Sequence, residues 1–272
     1  MSFRSLRPFE VIGSIVVLQR KENESTDHLV NRANELLYLK NVRTAVVQSS
    51  KVDGVERTRS FEMLAGEETL STTHKVYGLS FSLNLGEVFY STKLSFEHFR
   101  ISKTITSNER ILNLFCGVGG FTIFAAKADP SIKVDSIDIN PQAVKWARIN
   151  AERNGVADQC SFYEGDALTI PTKKFAMATF DRIILPLPLL ADQALLTSLP
   201  LLKKEGWLHY QCSIRLPPKE DYSEAALKHF ENIWQKANFP SDWSYELFFS
   251  KIIRSFGPRI NHMALDFKIK KS

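Results

Sequence analysis

The sequence has 272 residues, of which 44% are hydrophobic and 24% charged, proportions that are ordinary for a folded soluble protein and exclude a largely disordered chain. Lys and Arg outnumber Asp and Glu by 35 to 30, and the resulting net charge of +5 permits a polyanionic partner without requiring one. The three cysteines are widely spaced and odd in number, which indicates neither a disulfide framework nor a zinc site. No apolar run approaches the ~20 residues that span a bilayer. We therefore expect a soluble cytoplasmic protein with no metal and no membrane association.

The first hundred residues are predicted to form a small α+β domain. A helix is predicted behind an N-cap at Asp27, and a polar stretch with Gly54 and Gly66 precedes two alternating runs that are separated by a turn. The predicted elements are a strand at 9–18, a helix at 27–38, a strand at 44–48, strands at 75–83 and 87–90, and the turn at 84–86.

From Arg110 onward, short β-branched runs alternate with amphipathic segments, and this alternation predicts a parallel sheet wound with helices. The predicted strands are 111–115, 134–137, 161–163 and 182–185, and the predicted helices begin at about 121 and span 141–154.

A glycine-rich loop follows the first strand of this second region. Gly117, Gly119 and Gly120 allow the backbone to approach a ligand closely where a strand turns into a helix. Asp138 lies 21 residues after Gly117, at the end of the next strand, where a carboxylate accepts hydrogen bonds from a ribose diol. Position 122 is Thr rather than the third glycine of a dinucleotide fingerprint. The spacing therefore favours S-adenosylmethionine over a nicotinamide or flavin.

Asp166 follows the third strand of the same region. It is a candidate acceptor for the adenine amino group, and a helix N-cap is an equally good interpretation of its sequence context.

The sequence resembles the archaeal and eukaryotic tRNA (guanine-37 N1)-methyltransferases and the related aminocarboxypropyl transferases of wybutosine synthesis. The resemblance covers nearly the whole chain and is carried by short segments in the same order. These segments are FEVIGSIVVL at 9–18, VERTR at 55–59, THKVYG at 73–78, VFYSTKLSFE at 88–97, the loop FCGVGGFT at 115–122, IDINP at 137–141, GWLHY at 206–210 and FGPRINH at 256–262.

This resemblance implies a Rossmann-like class I methyltransferase domain at 100–272 and a small α+β domain that contacts RNA at 1–99. It implies S-adenosylmethionine as cofactor, the anticodon loop of tRNA as partner, and no metal; we further expect a monomer. The cofactor residues that it suggests are His98, Arg100, Phe115, Gly117, Gly119, Asp138, Ile139, Asp166, Ala167 and Pro186.

Guanine N1 carries a proton, so its methylation requires a base and a donor to O6. Glu97 falls at the family's base position, and Lys75 stands where the family has an arginine near the guanine. Lysine can donate to O6 but lacks the bidentate geometry of arginine. The resemblance also suggests RNA contacts, which are Arg57, Arg59, Lys75 and Tyr90. For the two arginines a solvated loop is the alternative, and for the tyrosine a place in the core.

Pro186 replaces the asparagine of the family's D-R-I-I-x-N-L-P segment. Proline offers only a carbonyl there, so any amide hydrogen bond to substrate or cofactor is lost. The glycine loop is closer to the methyltransferase pattern G-V-G-P-F-T than to that of the aminocarboxypropyl transferases. We therefore predict guanine-37 N1-methylation, with aminocarboxypropyl transfer or a catalytically silent tRNA-binding protein as the alternatives.

Overall fold

The computed structural model describes residues 8–49, 54, 58–217, 220–257 and 259–271. Contacts between Cα atoms divide the chain into two compact units, Met1–Thr92 and Lys93–Ser272. The roles predicted for the two regions, and their boundary at 99/100, stay predictions.

The described residues of the N-terminal unit form the helix α1, a four-stranded sheet in the order β1-β2-β3-β4, and a separate hairpin of β5 and β6. β2 and β3 are parallel, and the other pairs are antiparallel. The buried apolar face of α1 packs with residues of β2 and β3 in one core cluster. The elements are β1 Phe9–Ile12, β2 Ile15–Leu18, α1 Thr26–Leu36, β3 Thr44–Gln48, β4 Phe61–Gly66, β5 Ser71–Val76 and β6 Leu79–Asn84.

Four local predictions in this unit are wrong. The run 9–18 is a hairpin of two strands, because Gly13 turns the chain at φ +58°. Residues 75–83 likewise contain a hairpin turn, where Tyr77 adopts φ +47° and Gly78 φ +79°, and residues 87–90 form no strand. The N-cap of α1 is Ser25, whose side chain accepts from the His28 backbone N–H, and Asp27 lies within the first turn.

The second unit is built on a seven-stranded sheet in the order β12-β13-β11-β10-β7-β8-β9. The strands are β7 Arg110–Leu114, β8 Lys133–Asp138, β9 Cys160–Glu164, β10 Phe180–Leu185, β11 Leu202–Arg215, β12 Trp243–Gly257 and β13 Ile260–Lys271. The helices are α2 Ser95–Ser102, α3 Gly120–Ala126, α4 Pro141–Arg153, α5 Ile170–Lys174, α6 Ala191–Ser198 and α7 Tyr222–Ala237, with short 3-10 turns at Thr92–Leu94, Ala157–Gln159 and Leu199–Leu201.

Five neighbouring strands, from β11 to β9, are parallel, and β13 and β12 complete the sheet as an antiparallel edge. The order reverses between β7 and β10, because the chain winds from β7 to β8 and β9 on one side and returns to β10 on the other. Ligands of such sheets bind beyond the carboxyl ends of the strands at this switch point. The glycine loop follows β7 at this point.

The helix and strand alternation predicted from Arg110 to residue 185 is present, with element ends that differ by one or two residues. Among the helices that the structure describes, none is long and apolar enough to cross a membrane.

Candidate functional site

The glycine loop bends sharply between β7 and α3. Phe115 and Gly117 have φ of +61° and +54°, and Gly119 has φ +91°. Left-handed backbone of this kind favours glycine, and Phe115 is therefore a strained position. A Cβ placed on Gly117 would meet no atom within 4 Å. The space beside this part of the loop is open.

Asp138, at the carboxyl end of β8, fixes the loop from the neighbouring strand. The Gly117 backbone N–H donates to Asp138 Oδ2 at 2.7 Å, and the Asn140 backbone N–H donates to Oδ1 at 3.0 Å. The sequence-predicted pair of Gly117 and Asp138 is thus in direct contact.

A cluster of buried polar side chains next to the loop connects β7, α3 and β8. Asn113 of β7 donates its Nδ2 to Thr122 Oγ1 at 2.9 Å, and this hydroxyl lies 2.8 Å from Ser136 Oγ on β8. All three side chains have no exposed surface. On the far side of the loop, Asn150 Nδ2 of α4 donates to the Val118 carbonyl at 3.1 Å. These bonds hold the loop backbone in one arrangement.

The remaining predicted cofactor residues lie at the same edge of the sheet. Asp166 follows β9, and its Oδ1 accepts from the Leu168 backbone N–H at 2.9 Å. It caps this turn, whereas the N-cap of α5 is Thr169. Ile139 is exposed, Ala167 is buried, and Pro186 follows β10 directly with partial exposure. Their contact with a cofactor stays a prediction.

His98 packs directly against the glycine loop. Its ring lies edge-on to Phe121, with centroids 4.3 Å apart. A Cβ at Gly120 would lie 2.5 Å from His98 Cε1, so only glycine leaves room for this ring. Burial lowers the pKa of His98 to about 3, which makes it a neutral side chain at physiological pH.

Glu97, the predicted base, is 4% exposed and is held by Arg100 one helical turn along α2. Arg100 donates Nη2 to Glu97 Oε1 at 2.5 Å and Nε to Oε2 at 2.9 Å. It also donates Nη1 to Asp266 Oδ2 of β13 at 2.5 Å, and its guanidinium lies 3.8 Å from the centre of the Phe249 ring. These bonds raise the pKa of Arg100 although burial acts in the opposite direction.

The contacts continue from Asp266 into the sheet. His209 Nδ1 lies 2.7 Å from Asp266 Oδ1, and its Nε2 lies 2.5 Å from Arg182 Nη1. A guanidinium only donates, so Nε2 accepts, Nδ1 donates, and His209 is neutral. Arg182, fully buried, also donates Nε to Glu109 Oε2 at 2.6 Å.

We call this chain of six side chains the buried charge network; its members are Glu97, Arg100, Glu109, Arg182, His209 and Asp266. Burial alone would raise the pKa of Asp266, but the hydrogen bonds and charges of His209 and Arg100 hold that pKa well below its usual range. Burial lowers the pKa of His209. The buried charge network thus brings three carboxyl groups, two guanidiniums and one neutral imidazole together. Apart from Glu97 and Arg100, sequence reasoning missed these residues.

The candidate RNA residues of the N-terminal unit form two aromatic contacts. The Arg59 guanidinium lies 4.6 Å from the Phe89 ring centre, and burial lowers the pKa of Arg59. Tyr90 is 7% exposed and meets His74 edge-on at 5.6 Å, which agrees with a core position. Lys75 is exposed, on the strand face opposite to His74. Arg57 lies outside the described residues. No RNA role in this unit is tested by these contacts.

Within the residues that the structure describes, no cluster of three or more His, Cys, Asp or Glu side chains is arranged to hold a metal ion.

The TRM5/TYW2 methyltransferase domain matches residues 72–239, and the TYW2 N-terminal domain matches residues 4–69. The tRNA 4-demethylwyosine(37)-methyltransferase Taw21 of Saccharolobus solfataricus is 32% identical over 263 residues, which are 95% of this chain and 92% of that protein. The tRNA (guanine(37)-N(1))-methyltransferase Trm5b of Pyrococcus abyssi is 30% identical over 96% of this chain and 74% of its own length.

Solved structures have the same fold. The crystal structure of Pyrococcus abyssi Trm5b superposes with a TM-score of 0.82 and 27% identity, over 97% of this chain and 75% of that one. The aTrm5 chain in its complex with tRNALeu superposes with a TM-score of 0.80 and 25% identity, over 96% of this chain and 71% of that one. The predicted fold class, a Rossmann-like methyltransferase domain with a small N-terminal α+β domain, is confirmed.

Proposed function

The chain belongs to the TRM5/TYW2 methyltransferase family, and from this premise we propose that it methylates N1 of guanine 37 in the anticodon loop of tRNA. It is an S-adenosylmethionine-dependent tRNA methyltransferase, as are the relatives named for that activity. The observation that supports the cofactor site best is the 2.7 Å bond from the Gly117 N–H to Asp138 Oδ2.

The residues at the carboxyl edge of the sheet fit S-adenosylmethionine. Gly117 leaves open space beside the loop, and its backbone N–H binds Asp138, a carboxylate at the position from which a ribose diol is bound. Asp166 would accept from the adenine amino group, and Phe115, Ile139 and Ala167 would line the adenosyl part. When bound, the cofactor supplies an electrophilic methyl group on a sulfonium.

A residue of the chain must remove the proton from guanine N1. We assign Glu97 as the base that takes it, because a carboxylate within hydrogen-bond reach serves this role. Both Glu97 oxygens already accept from Arg100, so the proton would go to a remaining lone pair. Arg100 fixes the carboxylate from the side, which fits a base that is held in one orientation.

Charge that develops on guanine O6 needs a donor. Lys75, with its exposed ammonium group, would supply this donor as a point charge, which is weaker than the bidentate contact of arginine. Pro186 at the end of β10 offers a carbonyl and no amide. Both differences from the family pattern predict a lower turnover rate. Neither changes which group is transferred or which atom receives it.

The experiment is mass spectrometry of nucleosides from tRNA after incubation with the protein and S-adenosylmethionine. Two substrates are compared: a transcript with guanine 37, and the same transcript with position 37 replaced by adenine. We expect the mass of one methyl group to appear on guanosine in the first transcript only. The mass of an aminocarboxypropyl group, or tRNA binding without any gain in mass, would overturn the proposal in favour of the corresponding alternative.

One observation favours a second candidate, methylation of 4-demethylwyosine at position 37. The relative named for that reaction is 32% identical over 95% of this chain, and the guanine methyltransferase is 30% identical over 96%. tRNA that carries 4-demethylwyosine tests this candidate directly. A methyl gain on that base, with none on guanine 37, would replace the first proposal by the second.

A further inference from the structure

Three strands of the second unit extend past the rest of the sheet. The last pair of β10 with β11 joins Leu185 to Tyr210, but β11 continues to Arg215 and pairs there only with β13. β12 accompanies β13 over the same length, with Lys251 opposite Ala264 and Gly257 opposite Ile260. We call this extension the ribbon, and it comprises residues 211–215, 251–257 and 259–264.

The ribbon lies at the carboxyl edge of the sheet. β11 runs parallel to β10, so its final residues extend beyond the edge that carries Pro186 and the glycine loop. Five further residues at ~3.3 Å each extend ~17 Å past the last β10 pair. The strand that leads into it also contacts α2, because Phe249 packs on Arg100 and Lys251 Nζ lies 5.3 Å from the Phe96 ring centre.

The charge of the ribbon has one sign. Its charged residues are Arg215, Lys251, Arg254 and Arg259, and it contains no Asp or Glu. Four positive charges therefore lie on 18 positions of a chain whose net charge is +5. Arg215, Lys251 and Arg259 are exposed. Lys203, by comparison, is paired with Asp181 at 2.8 Å.

Exposed apolar surface is interleaved with these cations. Phe256 is 47% and Ile252 42% exposed. The Arg254 guanidinium lies 4.7 Å from the Phe256 ring centre. The Phe256 ring also lies parallel to that of His262, with centroids 5.3 Å apart. Planar groups that alternate with cations are the surface on which unpaired bases stack while phosphates are neutralised.

We propose that the ribbon is a docking surface for single-stranded RNA next to the target base of the tRNA substrate. Phe256 would stack on an unpaired base, and Arg215, Lys251 and Arg259 would neutralise phosphates. A polyanion is favoured as the occupant because the ribbon carries four Lys and Arg residues and no acid, so its charge complements phosphates. The inference rests on the proposed function, since it takes tRNA as the substrate.

The test compares two triple variants that remove the same charge. One replaces the exposed ribbon cations, as Arg215→Ala, Lys251→Ala and Arg259→Ala. The other, the helix triple, replaces exposed lysines on a helix or directly after one, as Lys127→Ala, Lys145→Ala and Lys228→Ala. Binding of an unmodified tRNA transcript is measured over a salt series, together with S-adenosylmethionine affinity.

We expect the ribbon triple to lose tRNA affinity by about 100-fold and its salt slope to fall by about 2 to 3, because each phosphate contact contributes nearly one to the slope. The helix triple should stay close to the unsubstituted protein in both quantities. Cofactor affinity should be unchanged in both, which reports an intact second unit. Phe256→Ala should lower affinity about tenfold with the slope unchanged, and Phe256→Tyr should restore it.

Equal effects of the two triples would show a response to net charge alone and would overturn the ribbon proposal. Unchanged tRNA affinity in the ribbon triple would also overturn it and would direct the search to a protein partner. If the unsubstituted protein neither bound nor methylated tRNA, the proposed function itself would fail, and the two failures are therefore distinguishable.

Discussion

Asp266 accepts hydrogen bonds from both Arg100 and His209, at 2.5 and 2.7 Å. It is 4% exposed, and it is the link through which the predicted base on α2 is connected to the centre of the sheet.

Asp266→Asn should destabilise the second unit strongly. The asparagine NH2 group would face either the Arg100 guanidinium or the His209 N–H, and both of these are donors. Arg100 would also lose one of its carboxylate partners while buried, and removing one partner of a buried ion pair costs about 3 kcal/mol or more. Urea denaturation measures the loss. Lys203→Met, which breaks the half-exposed ion pair with Asp181, is the control and should cost under about 1 kcal/mol. Similar small losses in both variants would contradict the buried role of Asp266.

Glu97→Gln tests the assignment of the base. The amide can occupy the same space but cannot take the N1 proton, and its NH2 group replaces one acceptor of Arg100. In protein that urea denaturation shows to be folded, the single-turnover rate of methyl transfer should fall by about 100-fold or more. Affinities for tRNA and cofactor should hardly change. Near-normal transfer with weakened tRNA binding would make Glu97 a positioning residue, and the base would then be a different group.

Asp138→Ala should weaken S-adenosylmethionine binding by about 1.5 to 3 kcal/mol, the range for hydrogen bonds to a charged acceptor. The loss includes the bond to the Gly117 N–H, so Asp138→Asn, which keeps the shape of the side chain, is the matched variant. Isothermal titration calorimetry measures both. Unchanged affinity in both variants would remove Asp138 from the site.

Gly120 and His98 should be coupled energetically. In Gly120→Ala the new methyl group lies 2.5 Å from His98 Cε1, and the ring is confined by Phe121, so we expect a destabilisation of about 1 to 3 kcal/mol. In a His98→Ala background the same substitution should cost at least about 1 kcal/mol less. A double-mutant cycle with no coupling would show that the ring is free to move away.

His98 should also contribute to the pH dependence of stability. Its pKa is about 3 in the folded chain and about 6.5 when exposed, so the unfolded state binds the proton first as the pH falls. Stability present above pH 6.5 is therefore lost between about pH 6.5 and 3, at about 1.4 kcal/mol per pH unit. Between pH 7 and 5 the unsubstituted protein should lose about 2 kcal/mol more than His98→Asn. Parallel stability curves would show that the imidazole is not buried as a neutral group.

The winding of the sheet could be predicted from the sequence because its signals are local. Buried parallel strands appear as short apolar runs. Few residue types suit the left-handed backbone at Gly117 or the acceptor position at Asp138. The hairpin turn at Tyr77 could not be predicted, since a non-glycine residue at φ +47° is uncommon, and the Asn84–Gly86 segment carries the stronger turn signal. β12 was missed because three register shifts, the first between Leu247 and Phe249, interrupt its alternation.

The buried charge network could not be predicted for a different reason. Arg100 and Asp266 are 166 residues apart, and nothing in the residues around either one specifies the other. A charged residue in a strand is read as solvent-facing, and only the assembled sheet shows that Arg182 is fully buried.

The place of β13 between β11 and β12 has a consequence for the order of assembly. It is the last strand to leave the ribosome among those described, yet it occupies an interior position of the sheet and brings Asp266 to Arg100 and His209. Until β13 is added, β11 has an unpaired edge, and Arg100 and His209 lack the Asp266 carboxylate that accepts from both of them. Contacts of such long sequence separation form slowly, and open strand edges invite association between chains. The nascent second unit should therefore depend on shielding of that edge until β13 is in place.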